Sequence, residues 1–267
     1  MRRQGIGQGH TRDQQKWLLI LVVLYAAAAM VYVLVPGGGL AMADAFDESS
    51  LDIPPWQLAL ANAVIILVLY GGVGLLGLWL AGKAGLPGIY RPGAGPRDLV
   101  WRPMRVGLFA GAVLVAADTV VRLVSDFQGF PHPPFPASLL ASFTAGVGEE
   151  ILFRLFVISL WTVILGWVLS RFVPQEGAGL WALRAANVIA ALAFAAAHLG
   201  TATVVADAST PLGLPPMILG EIIVLNGFVG VLAGASFARS GLIAAAGVHF
   251  WTDVVWHVIF GALSGGV

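Results

Sequence analysis

The sequence predicts an all-α fold, a polytopic transmembrane helix bundle of seven to eight spans that forms a single membrane domain over residues 1–267. Three observations carry that prediction. Hydrophobic residues fill 58% of the 267 positions and charged residues only 10%, whereas a soluble domain is about a quarter charged. Apolar stretches recur at 17–36, 57–81, 105–124, 138–170, 181–199, 216–237 and 242–264, against the roughly 20 residues a helix needs to cross a bilayer. The connections between them are short and rich in Pro or Gly, as in VPGGG, GFPHPPFP and STPLGLPP, so they stop helices rather than link domains.

The first span follows a polar tail, 1–16, with Arg2, Arg3, Arg12 and Lys16 against Asp13. The AMA at 41–43 resembles a small-residue cleavage site, but a cleavable signal has a shorter apolar core of about 7–15 residues; an uncleaved span is expected. Residues 37–55 then carry Asp44, Asp47, Glu48 and Asp52 with no base. After the second span, the loop 82–105 carries Lys83, Arg91, Arg97, Arg102 and Arg105 against Asp98. The positive-inside rule therefore places the N-terminal tail and this loop in the cytoplasm, with the plasma (inner) membrane as the expected location. Arg171, Arg184 and Arg239 fall on the same side if the fourth stretch crosses once.

The third span holds Asp118 and Arg122, four apart and so on one helical face; an internal ion pair is the expected reading. The fourth stretch would run about 50 Å as one helix against a hydrocarbon core of about 30 Å, so it must tilt, protrude or break. In the sixth, Glu221 lies one turn in from the outer end, within reach of headgroups. The chain has no cysteine, which excludes disulfides, thiolate metal sites and a cysteine nucleophile. Its formal net charge of zero gives no reason to expect a nucleic-acid partner.

Ionisable groups inside a span cost at least about 2.5–3.5 kcal/mol each at the bilayer centre, and normally face the protein interior with a partner. The segment GEEILFRL, 148–155, holds Glu149, Glu150 and Arg154. Glu150 and Arg154 are four apart and predict a neutralising pair, while Glu149 is rotated by about 100° and lacks a partner in its own helix. His198 ends the run ALAFAAAHLG, four residues after Phe194. In the last span His249, Asp253 and His257 are spaced i, i+4, i+8, one polar stripe at about 0°, 40° and 80° around an α-helix. At about 1.5 Å per residue, the depths of Glu149, His198, His249 and Asp253 allow one buried site.

A carboxylate and imidazoles converging in an apolar cavity suit hydrolysis, with the carboxylate as general base toward water and a histidine receiving the oxyanion. The same residues permit a zinc site with Glu149, His198 and His249 as ligands, although no HExxH motif is present. There is no GxSG and no GxGD for a serine or an aspartate-pair mechanism. A proton-linked multi-pass transporter using Glu149, His198 and His249 as a relay is the alternative from another class; a catalytically silent scaffold is a third.

EEILFR resembles the EExxxR box of the CPBP family, the CAAX-protease and bacteriocin-processing (Abi) intramembrane proteases. FAAAH is similar to that family's FxxxH box and HFWTD to its HxxxN/D box, in the family's order and each on its own apolar segment. The likeness covers roughly 138–264. It implies a membrane-embedded glutamate-type endopeptidase of typically eight spans, related to type II CAAX prenyl endopeptidases, whose partners are a peptide or membrane-protein substrate and the lipid bilayer. Peptide processing or bacteriocin self-immunity would follow, with no oligomeric state implied. Carried over, Glu149 and His198 would activate water, and His249 with Asp253 would take the oxyanion role. Asp253 stands where better-understood members have Asn, and a carboxylate donates only when protonated, so it is open whether Asp253 donates or orients His249. Glu150, Arg154, Phe194 and His257 are expected to support the site. No cofactor is expected, because Arg154 already holds one carboxylate; zinc is the alternative. Cleavage is expected near the cytoplasmic half of the bilayer.

Overall fold

The computed structural model of the chain describes residues 8–39, 53–125, 127 and 129–264. The small-residue motif at 41–43 and the acidic stretch Asp44, Asp47, Glu48 and Asp52 lie outside the described residues. Among the described residues there is no strand. Seven helices are long and apolar enough to cross a membrane: α1 (Gln8–Leu34), α2 (Pro55–Ala84), α3 (Arg97–Val124), α4 (Ala137–Leu169), α5 (Gly177–Val205), α6 (Pro216–Ser240) and α7 (Leu242–Leu263). The chain is an integral membrane protein, with an apolar exterior that includes exposed Leu19, Val68, Phe109, Trp181 and Val224.

Local chemistry sets the helix ends. Pro55 and Pro216 open α2 and α6 at their first position, where the missing N–H is no loss. Gly85 closes α2 in the left-handed conformation, φ 70°. α1 begins at Gln8, inside the stretch expected as a polar tail, where Asp13 accepts from Tyr90 and Gln14 has partners of its own. Gln14 is buried, its Oε1 accepts from Ile89 N–H at 2.6 Å, and its Nε2 donates to Tyr90 O at 2.9 Å.

Those bonds belong to a lock that ties the basic end of the bundle together. Leu242 N–H donates to Gly88 O, Ile243 N–H to Ile89 O and Arg91 N–H to Ser240 O. The start of α1, the loop after α2 and the α6–α7 turn are thereby joined. Gly241 makes that turn at φ 100°, and a Cβ there would lie 2.7 Å from Ile89 O. At the opposite end, Gly37 after α1 meets Pro134 before α4, and Gly261 late in α7 meets His132.

α4 is not broken. It runs for 33 residues but widens into π-helix over Ile151–Ile158. α7 does the same over Val254–Phe260. Each widened segment starts at the residue following a charged group of interest, Glu150 or Asp253. α7 docks on glycines of its neighbours: a Cβ on Gly107 of α3 would lie 2.5 Å from Val248 O, and one on Gly111 would lie 2.5 Å from Val255 Cβ. Gly146 of α4 comes similarly close to Phe250 N, 3.2 Å from where its Cβ would be. Small residues at such crossings let membrane helices approach closely, and here they fix the depth of α7.

Candidate active site

A cavity of about 330 Å³ opens between α4, α5, α6 and α7. Glu149, Phe194, His198, His249, Asp253 and His257 all line it. Glu150 and Arg154 stand behind its wall and are fully buried. The three separate sequence boxes thus share one site.

The geometry of α5 explains the posture of His198. The helix tightens at a turn at His198, whose N–H bonds Ala195 O instead of continuing the i→i−4 ladder to Phe194. The freed Phe194 O accepts from His198 Nδ1 at 2.8 Å. A carbonyl can only accept, so the proton sits on Nδ1 and a neutral ring carries its lone pair on Nε2.

His249 is held from two directions. Its Nδ1–H donates to Glu150 Oε1 at 2.9 Å, and its Nε2 lies 3.5 Å from Asp253 Oδ2. Glu150 also pairs with Arg154 of its own helix, Oε2 to Nε, at 3.2 Å. The pair expected from i, i+4 spacing is therefore present, but Glu150 has a second partner, on α7. Glu149 has no such tie, and among the described residues its Oε2 has no hydrogen-bond partner.

Phe194 connects these groups. Its buried ring stands 4.7 Å from the His198 ring and 5.4 Å from the His249 ring, edge-on to both. The Arg154 guanidinium sits 4.6 Å from its centroid, within range of cation–π attraction. One aromatic residue thus touches the three polar groups that come from the three boxes.

The stripe on α7 survives for a reason that α-helical geometry does not supply. In an α-helix, i+4 overshoots a full turn; in a π-helix, which closes at i+5, it falls short. His257 follows Asp253 through π-helix, so it swings back toward the His249 face and reaches the cavity. It meets His132 there, with Nδ1 atoms 3.2 Å apart. Burial, and next the Arg122 charge, hold the His132 imidazole below its usual range.

His132 and Glu221 were not singled out by the sequence as site residues. Glu221 is 8% exposed, lines the cavity and shares a hydrogen bond with Asp118 of α3, rather than reaching headgroups. Asp118 and Arg122 form the expected ion pair. The available signal was that two spans each carry an acid near the same end; their adjacency is tertiary. As for metal, Glu149, His198 and His249 line one cavity, but among the described residues no group of three or more His, Cys, Asp or Glu is placed to hold an ion.

Residues 131–255 match a family model described as type II CAAX prenyl endopeptidase Rce1-like. The match takes in Glu149, His198, His249 and Asp253. No curated protein and no solved structure matches the chain.

Proposed function

Since residues 131–255 belong to the type II CAAX prenyl endopeptidase Rce1-like family, a family of membrane peptidases, we propose that the chain hydrolyses peptide bonds with a water activated by Glu149 and His198. The observation that carries this reading is the shared cavity, in which Glu149 and His198 face the space while His249 is held from behind by Glu150.

In the proposed reaction, the attacking water gives its proton to the Glu149 carboxylate and donates a second hydrogen bond to His198 Nε2. Its oxygen bonds to the substrate carbonyl carbon. The oxyanion that forms accepts from His249 Nε2–H. Glu150 and Arg154 hold that ring in place, and Asp253 orients it rather than donating to the oxyanion. The C–N bond then breaks as Glu149 returns its proton to the departing amine. General-base catalysis of this kind contributes typically about 10²–10⁴-fold, and one oxyanion donor about 10²–10³-fold. No step is routed through zinc.

The test uses purified protein in detergent with a fluorogenic peptide. Glu149→Gln is expected to lower kcat by at least about 100-fold with an unchanged melting temperature. Cleavage retained by a folded Glu149→Gln protein would remove this assignment. Loss of wild-type activity on chelation, restored by zinc, would replace water activation by Glu149 with a metal site. Substrate-dependent proton flux in liposomes without proteolysis would replace the peptidase with a transporter.

A further inference from the structure

A second cavity lies apart from the peptidase site. It is a groove of about 280 Å³ between the start of α1 and the end of α2, and it shares no lining residue with the larger cavity. The lock forms its buried side. Gln14 and Gly88, both buried, line it, and a Cβ on Gly88 would lie 2.8 Å from Gln14 Oε1. The other side is open: Leu75 and Trp79 are exposed, and nothing stands within 4 Å of where a Cβ on Gly82 would be.

The groove is graded in polarity. Leu75, Trp79 and Lys83 follow one another at i, i+4 and i+8 on α2, so they share one flank of the helix. Leu75 lies furthest into the span. Trp79 is a residue type that settles at headgroup level. Lys83 belongs to the last turn, and its Nζ stands over the Trp79 ring, 4.6 Å from the centroid. Across the groove, Thr11 and Gln15 form the α1 wall, and Arg12 and Lys16, each one residue further along, are exposed beside them. Asp13 lies between these two cations in sequence and accepts from the Tyr90 hydroxyl. No Asp or Glu lines the groove among the described residues. Three cations thus border a groove whose deeper part is apolar.

We propose that this groove binds one anionic phospholipid, with its phosphate against Lys83, Lys16 and Arg12 and an acyl chain along Trp79 and Leu75. A soluble anion would meet the cations but leave the apolar wall uncovered. A zwitterionic lipid would cover that wall but bring a cation of its own to a basic rim, whereas basic residues at a membrane surface favour anionic headgroups. The lipid lies against Gln14 and Gly88, so it braces the bonds that join α1, the loop after α2 and the α6–α7 turn. A ligand that binds only the folded form raises the melting temperature.

The experiment strips the full chain of lipid in detergent and adds one of three probes: phosphatidylglycerol, phosphatidylcholine with the same acyl chains, or glycerol 3-phosphate. Native mass spectrometry reads retained lipid, and thermal melting reads stability. Phosphatidylglycerol is expected to bind at least about tenfold more tightly than phosphatidylcholine and to raise the melting temperature. Glycerol 3-phosphate at the same concentration is expected to leave it unchanged. Lys16→Gln combined with Lys83→Gln is expected to bring the two lipids to within about threefold of each other. Gly82→Phe, whose ring enters the open groove, is expected to lose the retained lipid and the thermal gain while melting like the wild type in lipid-free detergent. Equal binding of both lipids by the wild type overturns the proposal, as does phosphatidylglycerol retained by Gly82→Phe. If Gly82→Phe does not fold, the double lysine variant decides, and an unchanged lipid preference in it overturns the proposal. An equal thermal gain from glycerol 3-phosphate makes this a site for a small anion and overturns it too. So does a mass of two chains that Gly82→Phe returns to one, since the occupant is then a second copy.

Discussion

Glu149 and Glu150 are neighbours with opposite attachments. Glu150 is fixed between Arg154 and His249, whereas Glu149 faces the cavity. Spacing within the sequence was enough to assign Arg154 to Glu150 and leave Glu149 over, because both facts are properties of one helix. It could not show the second bond of Glu150, which reaches a residue 99 positions away. Phe194 is another residue whose role is tertiary: the FxxxH spacing places it one turn before His198, but its contacts with His249 and Arg154 come from other helices. Phe194→Leu keeps the apolar volume and loses the flat ring. Kinetics on that variant are expected to show kcat lowered on the order of 10- to 100-fold, since small misplacement of catalytic groups costs that much. An unaltered kcat would mean that the ring fills space only.

Helices were legible as spans because apolar length is a sequence property, and each of the seven predicted stretches coincides with an observed helix, three of them overrunning its end by one or two residues. Their internal widening was not. The π segments of α4 and α7 change which residues share a face, and no pattern of apolar residues announces them. The docking of α7 on Gly107 and Gly111 was also hidden, since a glycine in an apolar run does not say what it touches. It yields a sharp contrast. Gly111→Val would push a branched side chain against Thr252 O and Val255, and is expected to lower stability in detergent by about 1–3 kcal/mol. Gly72→Ala on α2, where nothing lies within 4 Å of the added carbon, is expected to be neutral or to stabilise by up to about 1 kcal/mol. Thermal melting of the two variants checks both, and equal losses would refute the docking argument.

At the scale of the whole molecule, charge asymmetry and the closed end agree on a direction. The basic loops lie at the locked end, and the cavity lining reaches the other end at Pro131, Pro133 and Val205. Were the positive-inside expectation for the basic loops to hold, the cavity mouth would face the extracytoplasmic side, opposite to the cytoplasmic half expected for cleavage from the sequence. A chain without cysteine makes this directly measurable. Single cysteines at Leu212, which is 92% exposed beyond α5, and at Lys83 on the basic side sample the two faces. A membrane-impermeant maleimide on intact cells is expected to label Leu212→Cys and spare Lys83→Cys. The reverse pattern would invert the molecule and return the cavity to the cytoplasm.

The lock at the basic end also orders events in time. Gln14 is synthesised well before the backbone groups of Ser240, Leu242 and Ile243 that complete the same knot. Until the ribosome has delivered the α6–α7 turn, the earlier spans sit in the lipid without their clasp. His249 and Asp253 follow that turn by no more than about three and a half helical turns of chain, so the clasp and the HxxxD box arrive together. A nascent chain does not complete the cavity wall before it has the means to close.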